Sequence, residues 1–335
     1  MPSPLFSLFA GRPQRAVQTV IPERTFADVI LPPATRRTLD DALAQVRNHN
    51  LIFGRWGLGE RHATGLGLAF NFAGPPGTGK TICAEAIAHA LGMKLLVVNY
   101  AELESMWLGE TPKNVVGAFR AAAEQNAVLF FDEADAIAAR RTSGAGLPQE
   151  REGNLIVNVL LRELEAFNGV VIFATNLAAN FDPAFERRIR THVRFEMPGL
   201  EERERIWQVQ IHPRKTPLAR DVNFGALAAK YEASGGEIKN AVLKAAAAAA
   251  AEKGSDVGKA IHHRHFEQAI GDVLAAKNVM QQSLFDARAL SERDPFVQAL
   301  QAAETRWRSA AMVAIAVAGM SALLAVAAIA VAILR

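Results

Sequence analysis

At 335 residues the chain is long enough for two domains and a well-buried core. Half of its residues are apolar and the formal net charge is only +3, so no global basic field points to nucleic acid. Cys83 is the single cysteine, which excludes a disulfide framework and fits a reducing compartment. Residues 1–24 are expected to form a mobile tail: Arg12 and Arg15 have no acidic neighbour, and Leu5 to Ala10 is too short for a secretory signal. Phe6, Leu8 and Phe9 would also suit a weak membrane-surface contact. The folded part opens at Phe26 to Ile30, and Pro32-Pro33 leads through a turn into a helix over Thr38 to Val46.

An apolar run then precedes Gly74-Pro75-Pro76-Gly77-Thr78-Gly79-Lys80-Thr81, and a helix-forming run from Ala84 to Ala88 follows it. Strand, G-x-x-x-x-G-K-T loop and helix together read as a phosphate cradle. Gly77 and Gly79 let the backbone wrap an anion, with successive N–H groups and the helix N-terminus turned towards it. Lys80 would reach the β- and γ-phosphates of a nucleotide, and Thr81 would give its hydroxyl to Mg²⁺. A glycine-rich turn matching by chance is the alternative, and the flanking strand and helix argue against it. Cys83, in the helix behind the loop, is expected to pack as a small hydrophobe rather than to react.

Lys94 to Tyr100, Ala127 to Phe131 and Val170 to Thr175 read as further strands, with a helix carrying Val115, Val116 and Phe119 capped by Thr111-Pro112. The alternation predicts an α/β fold, a parallel sheet covered by helices on both faces, with ligands at the strands' carboxyl ends. Asp132 and Glu133 close the third strand there. Asp132 would hold Mg²⁺, and Glu133 would orient and deprotonate an attacking water. The pair would equally serve as favourable charges at the start of a helix, and the two roles are compatible.

From Pro198 the strand pattern stops. Leu200 to Ile211, Phe224 to Tyr231, Glu237 to Glu252 and His265 to Leu274 read as helices, the seven alanines 245–251 being strong helix formers. His262-His263-Arg264-His265 lacks cysteines and helical ligand spacing, which favours a solvated helix start over a metal site. Residues 276–308 read as a linker. Ser309 to Leu334 holds 26 residues without a charge. As a helix it would be about 39 Å long, enough to cross a membrane core of about 30 Å with tilt. A buried alanine-rich helix is the alternative, with little chain left to bury it. Arg293, Arg306 and Arg308 before the span predict that the preceding domains stay on the cytosolic side.

Gly74 to Thr81, Asp132-Glu133-Ala134-Asp135, Asn176 after a strand, and Arg187-Arg188 after Asp182-Pro183-Ala184 occur in the order and spacing of an AAA-clade AAA+ ATPase, which residues 25–275 resemble. The resemblance implies a P-loop NTPase domain over 25–198 and a small helical AAA lid domain over 199–275. It implies ATP and Mg²⁺ as ligands and a homo-oligomeric ring, usually a hexamer. Carried over residue by residue, Glu133, Asp132, Lys80, Asn176, Arg187 and Arg188 form the catalytic set. Asn176 would sense the γ-phosphate, and the two arginines would complete a neighbouring subunit's site. Nucleotide contacts fall on Gly74, Pro75, Pro76, Gly77, Thr78, Gly79, Lys80, Thr81 and Ile82, with Asp28, Ile30 and Ile206 around the base. The metal would lie on Thr81 and Asp132. Met106-Trp107-Leu108-Gly109-Glu110 resembles the first pore loop, in which Trp107 would grip a threaded protein, a core tryptophan being the alternative. Ala139 to Gly153 stands where a second pore loop would be. Ser234 to Asn240 resembles the start of the second sensor helix without its arginine, Lys239 facing solvent.

The function so implied is a membrane-tethered ring that remodels or unfolds protein substrates. A membrane-anchored assembly or scaffold factor using ATP as a switch is the alternative from another class. A nucleic-acid motor is disfavoured by the charge balance and the aromatic loop.

Overall fold

The computed structural model describes residues 17–61, 67–99, 110–136, 148–176, 182–185 and 187–293. Met106, Trp107 and Leu108, the pore-loop candidates, and the apolar stretch 309–334 lie outside them. Six strands form one sheet: β1 (Gln18–Val20), β2 (Leu68–Ala73), β3 (Lys94–Asn99), β4 (Ala127–Asp132), β5 (Val170–Thr175) and β6 (Thr191–Arg194), in the order β1-β3-β4-β5-β2-β6. β3, β4, β5, β2 and β6 are parallel. β1 runs antiparallel to β3, with Gln18 opposite Val97. The sheet is therefore mixed and not purely parallel, because β1, from the stretch whose composition predicts a tail, closes the β3 edge.

The strands are near-continuous apolar runs because both faces are covered. β5 is buried at all six positions and β2 and β4 at five of six. Successive residues point to opposite faces. Leu96, Val98, Leu129, Phe131, Val171 and Phe173 pack beneath α4 (Glu110–Gln125) and α5 (Pro148–Ala166). Phe70, Phe72, Leu95, Val128, Phe130 and Ile172 pack beneath α1 (Pro33–Arg47) and α3 (Lys80–Leu91). Phe131 and Phe173 stack in parallel on adjacent strands at 5.2 Å, an arrangement worth about 0.5–1.5 kcal/mol beyond area burial. Between α1 and β2 the chain makes a π-helical turn, Asn50–Arg55, and a single α-helical turn, α2 (Leu58–Arg61).

Several helix boundaries differ from the sequence expectation. α4 begins at Glu110, so Thr111 and Pro112 sit inside its first turn, where proline lacks only a hydrogen bond the helix would not make. α5 begins at Pro148, so the part of the second pore-loop candidate within the described residues, 148–153, is helical. Beyond the sheet follow α6 (Leu200–Val209), α7 (Phe224–Lys230), α8 (Gly235–Ala251) and α9 (His263–Arg293). Trp207, Phe224 and Phe266 pack edge-to-face and stacked as their common core.

Two compact units divide at Gly271 and Asp272, within α9. His265, read as part of a solvated helix start, is buried, and its ring nitrogens bond the His262 N–H and the Glu252 carboxylate. Among the described residues no helix is long and apolar enough to cross a membrane.

Candidate active site

Three elements deliver the polar groups to the same end of the sheet: the loop after β2, the end of β4 and the residue after β5. The loop turns on Gly77 and Gly79, both left-handed with φ of 76° and 99°, conformations that side-chain-bearing residues seldom adopt. Gly79 is the N-cap of α3, so Lys80 enters the first turn pointing back over the loop. Its Nζ donates to the carbonyls of Gly74 (2.7 Å) and Pro75 (2.9 Å) and to Asn176 Oδ1 (2.9 Å). Burial pushes the Lys80 ammonium below its ordinary pKa, against the pull of Asp132 and Asp135. Thr81 Oγ1 lies 3.5 Å from Asp132 Oδ2.

Glu133 follows at φ 51°, a left-handed conformation uncommon for a side chain of its size. Its N–H donates to the Asp132 carboxylate at 3.0 Å. The side chain is exposed at the mouth of the site, and backbone strain of this kind gathers where function requires a particular orientation. Asp135 accepts from Thr175 Oγ1 at 3.1 Å, tying the turn after β4 to the end of β5.

These groups border a cavity of about 440 Å³. Pro76 to Ile82, Asp132, Glu133, Asn176, Asp28, Ile30 and Ile206 all line it; Gly74 and Pro75 instead hold Lys80 from behind. Asp28's carboxylate accepts from Thr25 N–H and Oγ1, which closes the turn that brings Val29 and Ile30 to the rim. The Thr25 amide holds that carboxyl below its ordinary value. Gln210, Gly235, Gly236 and Lys239 complete the lining. Gln210 stands one helical turn from Ile206, and only the tertiary approach of α6 brings it there. The Ser-x-x-Glu capping signature at Ser234 and Glu237 was the available signal for Gly235 and Gly236. Lys239 is exposed, as its position predicts, yet it also borders the cavity.

Arg187 and Arg188 are not brought to this cavity. With Arg190 they border another, of about 200 Å³, beside Gly67, Leu68 and Gly169 at the amino ends of β2 and β5. Arg188 is pinned there, its guanidinium 2.6 Å from Glu165 Oε1 and donating to the Ala184 carbonyl at 2.9 Å, while Arg187 is exposed. Cys83 is fully buried, and burial pushes its thiol far up, as expected of a packing residue.

A glycine loop closed by lysine, with a strand-end carboxylate pair and a polar residue on the next strand, is the arrangement to which the comparisons speak. Residues 70–198 match the family described as "ATPase family associated with various cellular activities (AAA)". They form an AAA ATPase domain. The chain is 33% identical over 294 residues to "ATP-dependent zinc metalloprotease FtsH 3" of Sphaerobacter thermophilus, covering 86% of this chain and 56% of that protein. It is 36% identical over 217 residues to "Cell division cycle protein 48 homolog" of Archaeoglobus fulgidus, covering 60% of this chain and 29% of that one. An uncharacterized AAA family ATPase of Sinorhizobium fredii, y4kL, is 35% identical over 184 residues, 54% of this chain and 53% of that protein. The chain thus spans little more than half of these relatives, or less.

The AAA domain's cavity fits a magnesium nucleotide. Mg²⁺ asks for one or two protein oxygens beside phosphates and water. Thr81 and Asp132, with adjacent side-chain oxygens, supply that pair. Among the described residues no group of three His, Cys, Asp or Glu could hold a metal ion.

Proposed function

We propose that the chain hydrolyses ATP to ADP and phosphate and uses the cycle to remodel protein substrates as a homo-oligomeric ring. The observation that carries this is the split of the site between the two ends of one sheet. Lys80, Asp132, Glu133 and Asn176 meet around the phosphate loop at the carboxyl ends. The arginines sit beside Leu68, five residues before Ala73 on β2, which is about 16 Å of strand. They cannot serve the cavity of their own chain, so they would complete that of a neighbour.

Within the cavity the loop amides and Lys80 bind and orient the β- and γ-phosphates. Glu133 accepts the proton of the attacking water as its oxygen bonds to the γ-phosphorus and the bond to the β-phosphate oxygen breaks. Asn176, whose Oδ1 already accepts from Lys80, has its amide N–H groups available for that water or a γ-oxygen. Mg²⁺ on Thr81 and Asp132 would neutralise phosphate charge. Arg187 or Arg188 of an adjacent copy would stabilise the charge of transfer. Trp107 in its loop would grip the substrate protein, residues 199–275 would act as the lid, and the 309–334 stretch would tether the ring to a membrane. That stretch's length and lack of charge, with Arg306 and Arg308 ahead of it, support the tether.

Phosphate release by the full chain tests the reading. Wild type should turn over ATP in the presence of Mg²⁺, and Lys80→Ala should lose nucleotide binding. Glu133→Gln should bind ATP and hydrolyse it at least about 100-fold more slowly. Turnover by Glu133→Gln equal to wild type would overturn the assignment. The same variant, holding ATP, is the bait with which bound substrate proteins can be captured and identified.

A further inference from the structure

The loop that should cradle phosphate is not held by its own strand and helix alone. Gly236, in the first turn of α8, donates its N–H to the Gly77 carbonyl at 2.9 Å. That amide is one of the four at a helix start without an intrahelical acceptor, so the loop carbonyl caps α8. The approach leaves no spare space. A Cβ on Gly77 would stand 2.7 Å from Ser234 Oγ, one on Gly236 would stand 3.2 Å from Gly77 Cα, and one on Gly235 would stand 3.3 Å from the Gly77 carbonyl oxygen. Ser234 is itself immobilised. It is 4% exposed, its Oγ accepts from the Glu237 N–H, and its own N–H donates to the Glu237 carboxylate at 2.6 Å. Both halves of the capping box are closed, so the turn presents a rigid surface to the loop.

We propose that Ser234-Gly235-Gly236 is a positioning element for the phosphate loop, and that nucleotide affinity depends on this turn staying docked on Gly77. In a planar trans peptide the C=O and N–H point in opposite directions. Fixing the Gly77 carbonyl against α8 therefore fixes the direction of the Thr78 N–H, one of the donors offered to a phosphate. The turn need not touch the nucleotide to do this. The inference rests on the proposed reading of the loop as a nucleotide site, and it adds a dependence that the loop's own sequence does not contain.

Titration of the full-length protein with fluorescent ADP and ATP analogues tests it. Gly77→Ala should weaken both at least about tenfold, since its Cβ meets Ser234 and its φ is left-handed. Ser234→Gly retains most N-cap character and removes the obstructing hydroxyl. Added to Gly77→Ala, it should recover about threefold or more, leaving the backbone cost. Gly236→Pro, tolerated in a helix's first turn but lacking the N–H, should bind about two- to tenfold more weakly than Gly236→Ala, the worth of one hydrogen bond. Both affinities should fall together while the number of nucleotides bound at saturation stays at the wild-type value, the mark of weakened binding rather than of inactive protein. A merely structural lesion would instead lower the unfolding midpoint without nucleotide and reduce that number. No recovery in the Gly77→Ala/Ser234→Gly double variant overturns the proposal, including where Gly236→Pro fails to fold. Wild type that binds no nucleotide would remove the loop's assignment itself, a distinct result.

Discussion

The carboxyl ends of the parallel strands and their amino ends carry different polar groups around separate cavities. At the carboxyl ends a single buried ammonium, Lys80, is satisfied three times over by Gly74, Pro75 and Asn176, and carboxylates stand around it. At the amino ends three arginines border a smaller cavity in which Glu165 is the acidic side chain, and Arg188 Nε is buried without a hydrogen-bond partner. The cation of the first end is fully partnered within the chain, whereas the second end has a guanidinium nitrogen left over. About a single strand's length separates them.

The largest expected effect falls on the end that has charge to spare. Replacing both Arg187 and Arg188 by alanine should lower ATP turnover about 1,000-fold or more, as loss of a trans arginine does. The nucleotide dissociation constant should stay within about twofold. Mixed in excess with Lys80→Ala subunits, the double variant should regain part of the turnover. A proportional loss of nucleotide affinity would mean that the two ends are not independent.

Smaller, and sharper in what it separates, is the difference between the two arginines. Arg188→Ala or Glu165→Gln should lower the unfolding midpoint slightly, by no more than about 1 kcal/mol of stability, because the Glu165 side chain is half exposed. Arg187→Ala should leave the midpoint alone. Equal midpoints for all three would show that the Glu165 pair does not hold Arg188.

The smallest effect belongs to the rim of the nucleotide cavity. Asp28's carboxyl is held below its ordinary 3.8 chiefly by the Thr25 amide. Its contribution to stability is thus fully present above that value and is lost as pH falls through the lowered one. Asp28→Ala should lower stability slightly at neutral pH and flatten the acid limb below about pH 4, so that its profile and that of wild type converge in acid, as followed by denaturant unfolding at several pH values.

Legibility in the sequence followed locality. The loop, Asp132-Glu133 and Asn176 were readable because each is a short polar signal set against a buried strand of six residues. Strands β1 and β6 were not: Gln18-Thr19-Val20 has no burial pattern of its own, and β6 buries only Val193 of four residues. α9 runs 19 residues past the expected Leu274, since Ala276, Lys277 and Gln281 form helix readily yet present no apolar face that distinguishes helix from linker. Gln210, the left-handed backbone at Glu133 and the inward pairing of Arg188 depend on elements distant in sequence, and no local pattern announces them. The small helices were legible as helices, while the docking of the α8 turn on Gly77 was not.

The strand order also has a consequence in time. β2 carries the phosphate loop, yet its two neighbours, β5 and β6, lie roughly 100 residues further along the chain. At synthesis rates of about 5–20 residues per second, the apolar run Leu68–Ala73 leaves the ribosome about 5–20 s before β5 is available to pair with it. β3 and β4, made in that interval, pair only with each other and with β1 until β5 arrives. Val170–Thr175 is thus the segment whose emergence turns two incomplete pieces into a sheet. The loop after β2 gains its fixed floor only when that strand docks.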